Sequence, residues 1–367
     1  MMQMRTALLH MTLIVVLAFI ASLARATDPL PNRAPAIEAM KAAADYSKSQ
    51  TGRAMVVMFD GKIIFEQYDN GGAAEKAYNL FSGSKCFVGS AAVAAVQDGL
   101  IKLDNPASEN IPEWRNDPEK STITYRQLLS MTSGLKHPGS DAEKRLPLKQ
   151  LMAMPMDAKP GEHFEYGGYE LEVFACALEQ KLQQKQTPET FAQYLNRRVF
   201  APIGIKIDGY PPQKPAADGH PTVGPVHVTA RDWATYGEFI RREGNWNNRQ
   251  ILDPALLRDC FKGSRANPSY GLTWWIKSPA SEEFVRNADA DVVKVWDTIA
   301  NSKWLPDDMV GAVGARDQRL YIMPSLKLVV VRLGDRGKVD LREKFSDLQF
   351  LSILLNHSHP APSTKSN

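Results

Sequence analysis

The sequence predicts an α/β (α+β) fold in which an antiparallel sheet is flanked by helices and carries a mainly helical inserted domain. Three observations predict it: β-type runs near the start of the chain, helical patterns through the middle, and β-type runs that return near the end. Strands from both ends must meet in one sheet. We therefore expect an α/β domain from residues 33–105 and 263–358, with a helical domain at 106–262.

The first elements are a helix, a hairpin and a second helix. Residues 35–49 have helical spacing and an Ala-rich face. Two β-type runs, 54–59 and 62–68, are joined by Asp60-Gly61, and an Asp-Gly pair between such runs is a strong hairpin signal. A second helical pattern runs from about Ser82 to Gly99.

The middle and the end of the chain differ in pattern. The middle has short helical patterns separated by Pro and Gly loops, at residues 125–131, 169–184, 188–199 and 230–243. β-type runs return at residues 270–276, 320–323 and 326–333. An amphipathic helix is predicted over residues 340–355, followed by a disordered polar tail at 359–367.

The first 26 residues have the pattern of an export signal. Arg5 supplies the positive charge, residues 7–23 are mostly apolar, and Ala24-Arg25-Ala26 has the small-x-small pattern that precedes a cleavage site. The alternative is an uncleaved N-terminal membrane anchor, because the apolar run approaches spanning length. We expect cleavage and an exported protein, periplasmic or secreted, with no stable membrane span afterwards.

Composition favours a soluble enzyme that acts on small molecules. Hydrophobic residues make up 44% and charged residues 23%, and the formal charge is +3, or about +1 once Arg5 and Arg25 are removed. This balance gives no basic footprint for nucleic acid. The oligomeric state has no signature in the sequence.

Three cysteines are present, Cys86, Cys176 and Cys260. They form no C-x-x-C pair and have no His-rich neighbours, so we predict no metal site. One disulfide remains an option in an oxidising compartment, but Cys86 and Cys176 lie in apolar helical patterns, which favours buried free thiols.

The most informative segment reads Phe81-Ser82-Gly83-Ser84-Lys85 at the start of the second helix. Residues three apart share one helix face, so the Lys85 amine can reach the Ser82 hydroxyl and accept its proton. Ser84 adjoins Lys85, and neighbouring side chains diverge on a helix, so Ser82 is preferred. Alone, the same pattern also fits an N-cap serine beside a surface lysine.

Three further segments accompany this one. Residues 123–135 contain T-x-x-x-L-L-x-x-T-S-G-L, and residues 159–166 contain P-G-x-x-F-x-Y ending at Tyr166. Residues 314–324 are similar to a catalytic strand. Together the four segments resemble the serine β-lactamase/penicillin-binding-protein superfamily, in the branch of class C β-lactamases, related esterases and 6-aminohexanoate-oligomer hydrolases. The resemblance spans about residues 54–334 and implies a β-lactamase/transpeptidase-like fold.

The resemblance implies catalytic roles for three residues. Ser82 matches the acylated nucleophile, Lys85 the lysine that assists its deprotonation, and Tyr166 the tyrosine that passes the proton to the leaving group. A tyrosine with its ordinary pKa near 10 is a poor base at neutral pH, and a nearby ammonium lowers that pKa. The sequence leaves the division of the proton between Lys85 and Tyr166 open. His163 is interpreted as a surface histidine.

The resemblance also implies an oxyanion hole made by the N–H of Ser82 and an N–H of the late strand. Ala315 after Gly314 is the preferred alignment, and residues 309–312 offer a second one. The implied oxyanion-hole and substrate residues are Ser82, Gly168, Gly314, Ala315, Arg316 and Gln318.

Two departures from the family pattern concern substrate contacts. Tyr166-Gly167-Gly168 replaces the family's Tyr-x-Asn, so the asparagine amide is missing. Residues 312–314 read Ala-Val-Gly in place of Lys-Thr-Gly, so the lysine that attracts a substrate carboxylate is missing, although Arg316 offers a replacement charge. Both losses argue against an efficient β-lactamase.

We therefore expect a serine hydrolase that cleaves a small-molecule ester or amide through an acyl-enzyme at Ser82, without a cofactor. One alternative is a β-lactamase or D-alanyl carboxypeptidase. Another is a catalytically silent, penicillin-binding-like sensor or binding module.

Overall fold

The computed structural model describes residue 30 and residues 32–138, 146–207, 218–221, 223–224, 226–287, 291–335 and 345–357. The predicted export signal at residues 1–26 and the tail at 359–367 lie outside these residues.

The described helices follow one another through the whole chain. They are α1 (Ile37–Ser49), α2 (Lys85–Gln97), α3 (Tyr125–Leu129), α4 (Leu148–Met152), α5 (Tyr169–Gln183), α6 (Phe191–Leu195), α7 (Ala201–Ile203), α8 (Ala230–Arg241), α9 (Pro254–Asp259), α10 (Glu282–Asn287), α11 (Asp291–Ala300) and α12 (Asp347–Leu354). A π-helical turn at Asn196–Phe200 joins α6 to α7.

The strands form one main sheet and two small ribbons. They are β1 (Gly52–Phe59), β2 (Lys62–Tyr68), β3 (Tyr78–Asn79), β4 (His227–Val228), β5 (Asn245–Trp246), β6 (Arg249–Gln250), β7 (Trp275–Ile276), β8 (Val310–Gly314), β9 (Gln318–Met323) and β10 (Leu328–Gly334). The main sheet has the order β2-β1-β10-β9-β8-β7, and its neighbours are antiparallel. The predicted antiparallel sheet built from both ends of the chain is confirmed.

The hairpin at the start of the sheet follows the predicted turn. Asp60 and Gly61 both have positive φ, 46° and 83°, as a type I′ turn requires. β1 pairs with β2 on one side and with β10 on the other, where Val57 lies opposite Val330. This pairing joins residues almost 300 positions apart, and so brings the ends of the chain together.

Helices cover both faces of the sheet. Residues 54–58 of β1 are buried one after another, and successive side chains of a strand point to opposite faces. Helices α1 and α12 pack together beside β1, and α8 packs across β1, β9 and β10. Helix α8 therefore contacts the sheet although it lies within the 106–262 range. The division of the chain into two domains stays a prediction.

Several elements differ in length from their prediction. The strand predicted at 270–276 is reduced to β7, because Thr273 has φ 69° and the Gly271 N–H bonds to the Trp274 carbonyl in a tight turn. The segment 314–324 is not one strand: β8 ends at Gly314, residues 315–317 turn, and β9 begins at Gln318. The final helix begins at Asp347, and residues 340–344 lie outside the described part of the chain.

Candidate active site

The turn that carries Ser82 is held in a strained conformation. Residues 81–84 form a 3-10 turn before α2, and Phe81 has φ 48°, which is uncommon for a bulky residue. The Phe81 N–H donates to Asn79 Oδ1 at 2.8 Å, and the Leu80 N–H donates to the Val226 carbonyl at 2.9 Å. Local strain persists only where surrounding contacts impose it, and it is common at active sites.

Lys85 connects Ser82 to Tyr166. The Lys85 amine is 2.9 Å from Ser82 Oγ, and it lies 4.9 Å from the centre of the Tyr166 ring. Serine and lysine share this contact because they are three residues apart across the start of α2. The structure thus brings together the three side chains that the sequence selected as catalytic.

Backbone pairing between two loops places Tyr166 at this point. The Gly161 N–H donates to the Thr132 carbonyl at 2.7 Å, and the Glu165 N–H donates to the Met131 carbonyl at 3.0 Å. Gly134 has φ 78°, and a Cβ there would lie 2.2 Å from the Ala158 carbonyl oxygen. The T-S-G-L segment therefore needs its glycine for the two loops to approach each other.

Aromatic side chains surround the Tyr166 ring. The ring centres of Phe164, Tyr270 and Trp275 lie 6.4, 5.9 and 5.6 Å from that of Tyr166. Tyr270 and Trp275 are buried, and burial raises the pKa of Tyr270 well above 10, so its hydroxyl stays protonated. Tyr166 itself is half-buried, so one part of its ring faces an apolar wall and another part is accessible.

The end of β8 lies directly against the turn of Ser82. A Cβ on Gly314 would be 2.0 Å from the Leu80 carbonyl oxygen and 3.0 Å from the Gly83 nitrogen. Ala315 is the next residue and is exposed. In the alternative alignment, Gly311 packs against Trp296 instead of the Ser82 turn. The preferred alignment is therefore the one whose glycine adjoins the nucleophile.

The other predicted substrate residues have different surroundings. Arg316 pairs with Asp335 at 3.1 Å, and its guanidinium lies 5.3 Å from the centre of the Phe81 ring. Gln318 is buried and exchanges two hydrogen bonds with the backbone of Gly334. A Cβ on Gly168 would meet no atom within 4 Å. Gln318 thus has a structural role, whereas Gly168 borders open space.

A charged cluster behind Tyr166 was missed by the sequence reasoning. His137 lies between Glu165 and Glu170, with Nδ1–Oε1 and Nε2–Oε2 distances of 3.4 and 2.8 Å. Glu170 is buried at the start of α5, and the available signal was its spacing of three and four residues from the apolar Val173 and Phe174, which places it on the same helix face. His163, in contrast, is exposed as predicted.

The three cysteines give no second reactive centre. Cys86, Cys176 and Cys260 are free and buried, as favoured from the sequence, and burial raises the pKa of each thiol, that of Cys260 to about 12. Such thiols are protonated and inert at neutral pH. No group of His, Cys, Asp and Glu side chains suited to a metal ion occurs among residues whose placement is described.

Comparison with known proteins gives the family. The chain belongs to the Beta-lactamase family, whose model matches residues 36–345. Protein flp of Staphylococcus aureus strain MW2 is 24% identical over 272 residues, which are 66% of this chain and 54% of that protein. The chain therefore spans about half the length of this curated relative.

Solved structures share the fold. A putative β-lactamase from Bacteroides dorei has a TM-score of 0.65 and 19% identity, with 86% of this chain and 97% of that chain covered. A putative 6-aminohexanoate-dimer hydrolase from Bacillus anthracis has a TM-score of 0.59 and 20% identity, with coverages of 86% and 79%. The β-lactamase/transpeptidase-like fold expected from the sequence is confirmed.

Proposed function

We propose that this protein is a serine hydrolase that cleaves an ester or amide through a covalent acyl-enzyme at Ser82. The observation that carries the proposal is the contact of the Lys85 amine with Ser82 Oγ at 2.9 Å, beside the ring of Tyr166. Family membership supports the same chemistry.

The reaction follows from the positions of these groups. Ser82 Oγ attacks the substrate carbonyl carbon while the Lys85–Tyr166 pair takes its proton, and the carbonyl π electrons move to oxygen. The N–H groups of Ser82 and Ala315 would stabilise that oxyanion, since the end of β8 adjoins the Ser82 turn. The C–O or C–N bond then breaks, and Tyr166 returns the proton to the leaving group. Water hydrolyses the acyl-enzyme by the same steps.

The surroundings of the site favour a neutral, apolar substrate. Ala312 and Val313 are buried and apolar where relatives with Lys-Thr-Gly have a cation. Arg316 is already paired with Asp335, and the wall beside Tyr166 is aromatic. A substrate carboxylate would therefore lack a free cationic partner among these described residues. We place esters and neutral amides ahead of β-lactams and D-alanyl peptides.

Two serines on the same turn, Ser82 and Ser84, allow a sharp test. A fluorophosphonate probe should label the wild-type protein, and Ser82→Ala should lose at least about 100-fold in labelling rate because the nucleophile is gone. Ser84→Ala is the matched control: its hydroxyl accepts a hydrogen bond from the Val226 N–H, so labelling should persist. Equal labelling of Ser82→Ala and wild type, measured by mass spectrometry, would refute the assignment.

Two β-lactam compounds, nitrocefin and penicillin, separate the alternatives. Hydrolysis of nitrocefin at a rate comparable to that of short-chain esters would favour a β-lactamase. A penicilloyl-enzyme that forms at Ser82 and never hydrolyses, with no turnover of any ester or amide, would favour a silent sensor.

We also propose that the protein is exported and cleaved after Ala26. The proposal rests on Arg5, the apolar run at 7–23 and Ala24-Arg25-Ala26. The described part of the chain contains no helix with the length and hydropathy of a membrane span. Expressed with its full sequence in a bacterium, the protein should be recovered from the periplasm or medium with Thr27 as its first residue. An intact N-terminus in the membrane fraction would instead support the anchored alternative.

A further inference from the structure

A buried ion pair lies directly behind the loop of Tyr166. His137 Nε2 is 2.8 Å from Glu170 Oε2 and forms an ion pair with it, although the two are not aligned as a hydrogen bond. Glu170 is only 1% exposed, and the Ser133 hydroxyl donates to its other oxygen at 3.3 Å. A buried carboxylate needs such a partner, because an unpaired buried charge is strongly destabilising.

The imidazole of His137 also touches the catalytic loop itself. A Cβ added to Gly167 would lie 2.3 Å from Cε1 and 2.6 Å from Nδ1 of that ring. Gly167 sits between Tyr166 and Gly168, so the ring occupies the place that any larger residue would need. The ring of His137 therefore packs closely against the backbone of Gly167, and this contact requires a glycine there.

We propose that His137 is a positioning residue for Tyr166 and Lys85. Its ring supports the backbone at Gly167, and its charge balances that of Glu170 behind the catalytic pair. The proposal rests on the proposed function of Ser82. The ring does not touch the reacting atoms; it acts on the orientation and the electrostatic field of the residues that do.

The charges around His137 favour its cationic form. Burial alone would lower the pKa of His137, but Glu170, and to a smaller extent Glu165, raise it above the usual value, while Lys85 opposes them. Burial raises the pKa of Glu165, and His137 and the exposed His163 act against that rise. The ring of Tyr169, whose centre lies 5.2 Å from that of His137, completes these surroundings. Because Lys85 and His137 interact, a change in the charge of His137 also changes the electrostatic field at the catalytic pair.

The first experiment tests the charge. His137→Gln keeps an amide near Glu170 but removes one positive charge, which leaves Glu170 uncompensated. Loss of a positive charge disfavours the loss of a proton nearby, so the acidic limb of the pH profile of kcat/KM should move up by about one pH unit. In His137→Gln/Glu170→Gln both charges are removed, and the limb should return towards its wild-type position.

The second experiment tests the fit of the ring, and it applies even where His137→Gln fails to fold. Gly167→Ala should lower kcat at least about tenfold with a smaller change in KM, because its Cβ displaces either the ring or Tyr166. Adding His137→Ala to Gly167→Ala vacates the space and should restore part of kcat. His163→Gln, a change at an exposed histidine of the same loop, is the matched control and should leave the pH profile in place.

The outcomes separate the two proposals. Loss of fluorophosphonate labelling in Ser82→Ala upholds the catalytic assignment whatever happens at residue 137. With that result in hand, three outcomes would each overturn the role of His137. The acidic limb could stay unshifted in folded His137→Gln, or it could stay shifted in His137→Gln/Glu170→Gln. The third is a Gly167→Ala protein as active as wild type.

Discussion

Gly168 is the residue at which the chain lacks a side chain that its family commonly has at the active site. It follows Tyr166 by two positions, where the family pattern has asparagine. Its backbone has φ −122° and ψ −17°, values accessible to any residue, and a Cβ there would meet no atom within 4 Å. The missing amide therefore reflects the residue type and not a lack of space.

We predict that Gly168→Asn improves the cleavage of amides relative to esters. The new side chain can donate to an amide substrate, and a hydrogen bond of about 1 kcal/mol corresponds to a roughly fivefold gain in kcat/KM. The measurement is the ratio of kcat/KM for an amide and an ester with the same acyl group. Gly168→Ala adds the Cβ without the amide, so an equal gain in that variant would contradict the explanation.

At the scale of elements, the sequence predicted correctly those helices and strands whose own residues favour the conformation they adopt. The β1–β2 hairpin follows from Asp60-Gly61, which take the positive φ values of its turn, and α5 follows from the apolar spacing of residues 169–183. β8 has the sequence Val-Gly-Ala-Val-Gly and little β propensity. It is a strand because its neighbours β7 and β9 pair with it.

The candidate site also has a part that the sequence predicts and a part that only the structure shows. Ser82 and Lys85 are close in sequence, so their contact could be predicted from helix geometry, while Tyr166 was selected only through the resemblance. The contacts of His137 with Gly167 and Glu170 join residues about 30 positions apart through loop packing. No local pattern encodes such contacts. Arg316 also required the structure, because its pairing with Asp335 depends on the ends of β8 and β10.

At the scale of the whole molecule, a buried polar cluster joins the two ends of the chain. Arg332 of β10 is fully buried and bonds to Ser47 Oγ in α1 and to the Asp317 carbonyl. Beside it, Arg319 of β9 pairs with Asp347 of α12 at 2.7 Å. Burial alone would lower the pKa of Arg319, but Asp347 raises it, so the arginine stays charged. Helix α1, the sheet and helix α12 are thus held by charged groups as well as by apolar packing.

We predict that Asp347→Asn destabilises the fold by about 3 kcal/mol. The Arg319 guanidinium stays buried, and among the described residues the ionic partner that remains is the more distant Asp317 carboxylate, at 3.6 Å. The free energy of unfolding from urea titration measures this. Asp157→Asn is the matched control: Asp157 pairs with Lys136 at 3.5 Å, both side chains are more than half exposed, and exposed pairs contribute about 0–1 kcal/mol. Arg319→Met/Asp347→Leu, which removes both charges, should recover most of the loss. Equal costs for Asp347→Asn and Asp157→Asn would show that the buried pair does not hold the ends of the chain.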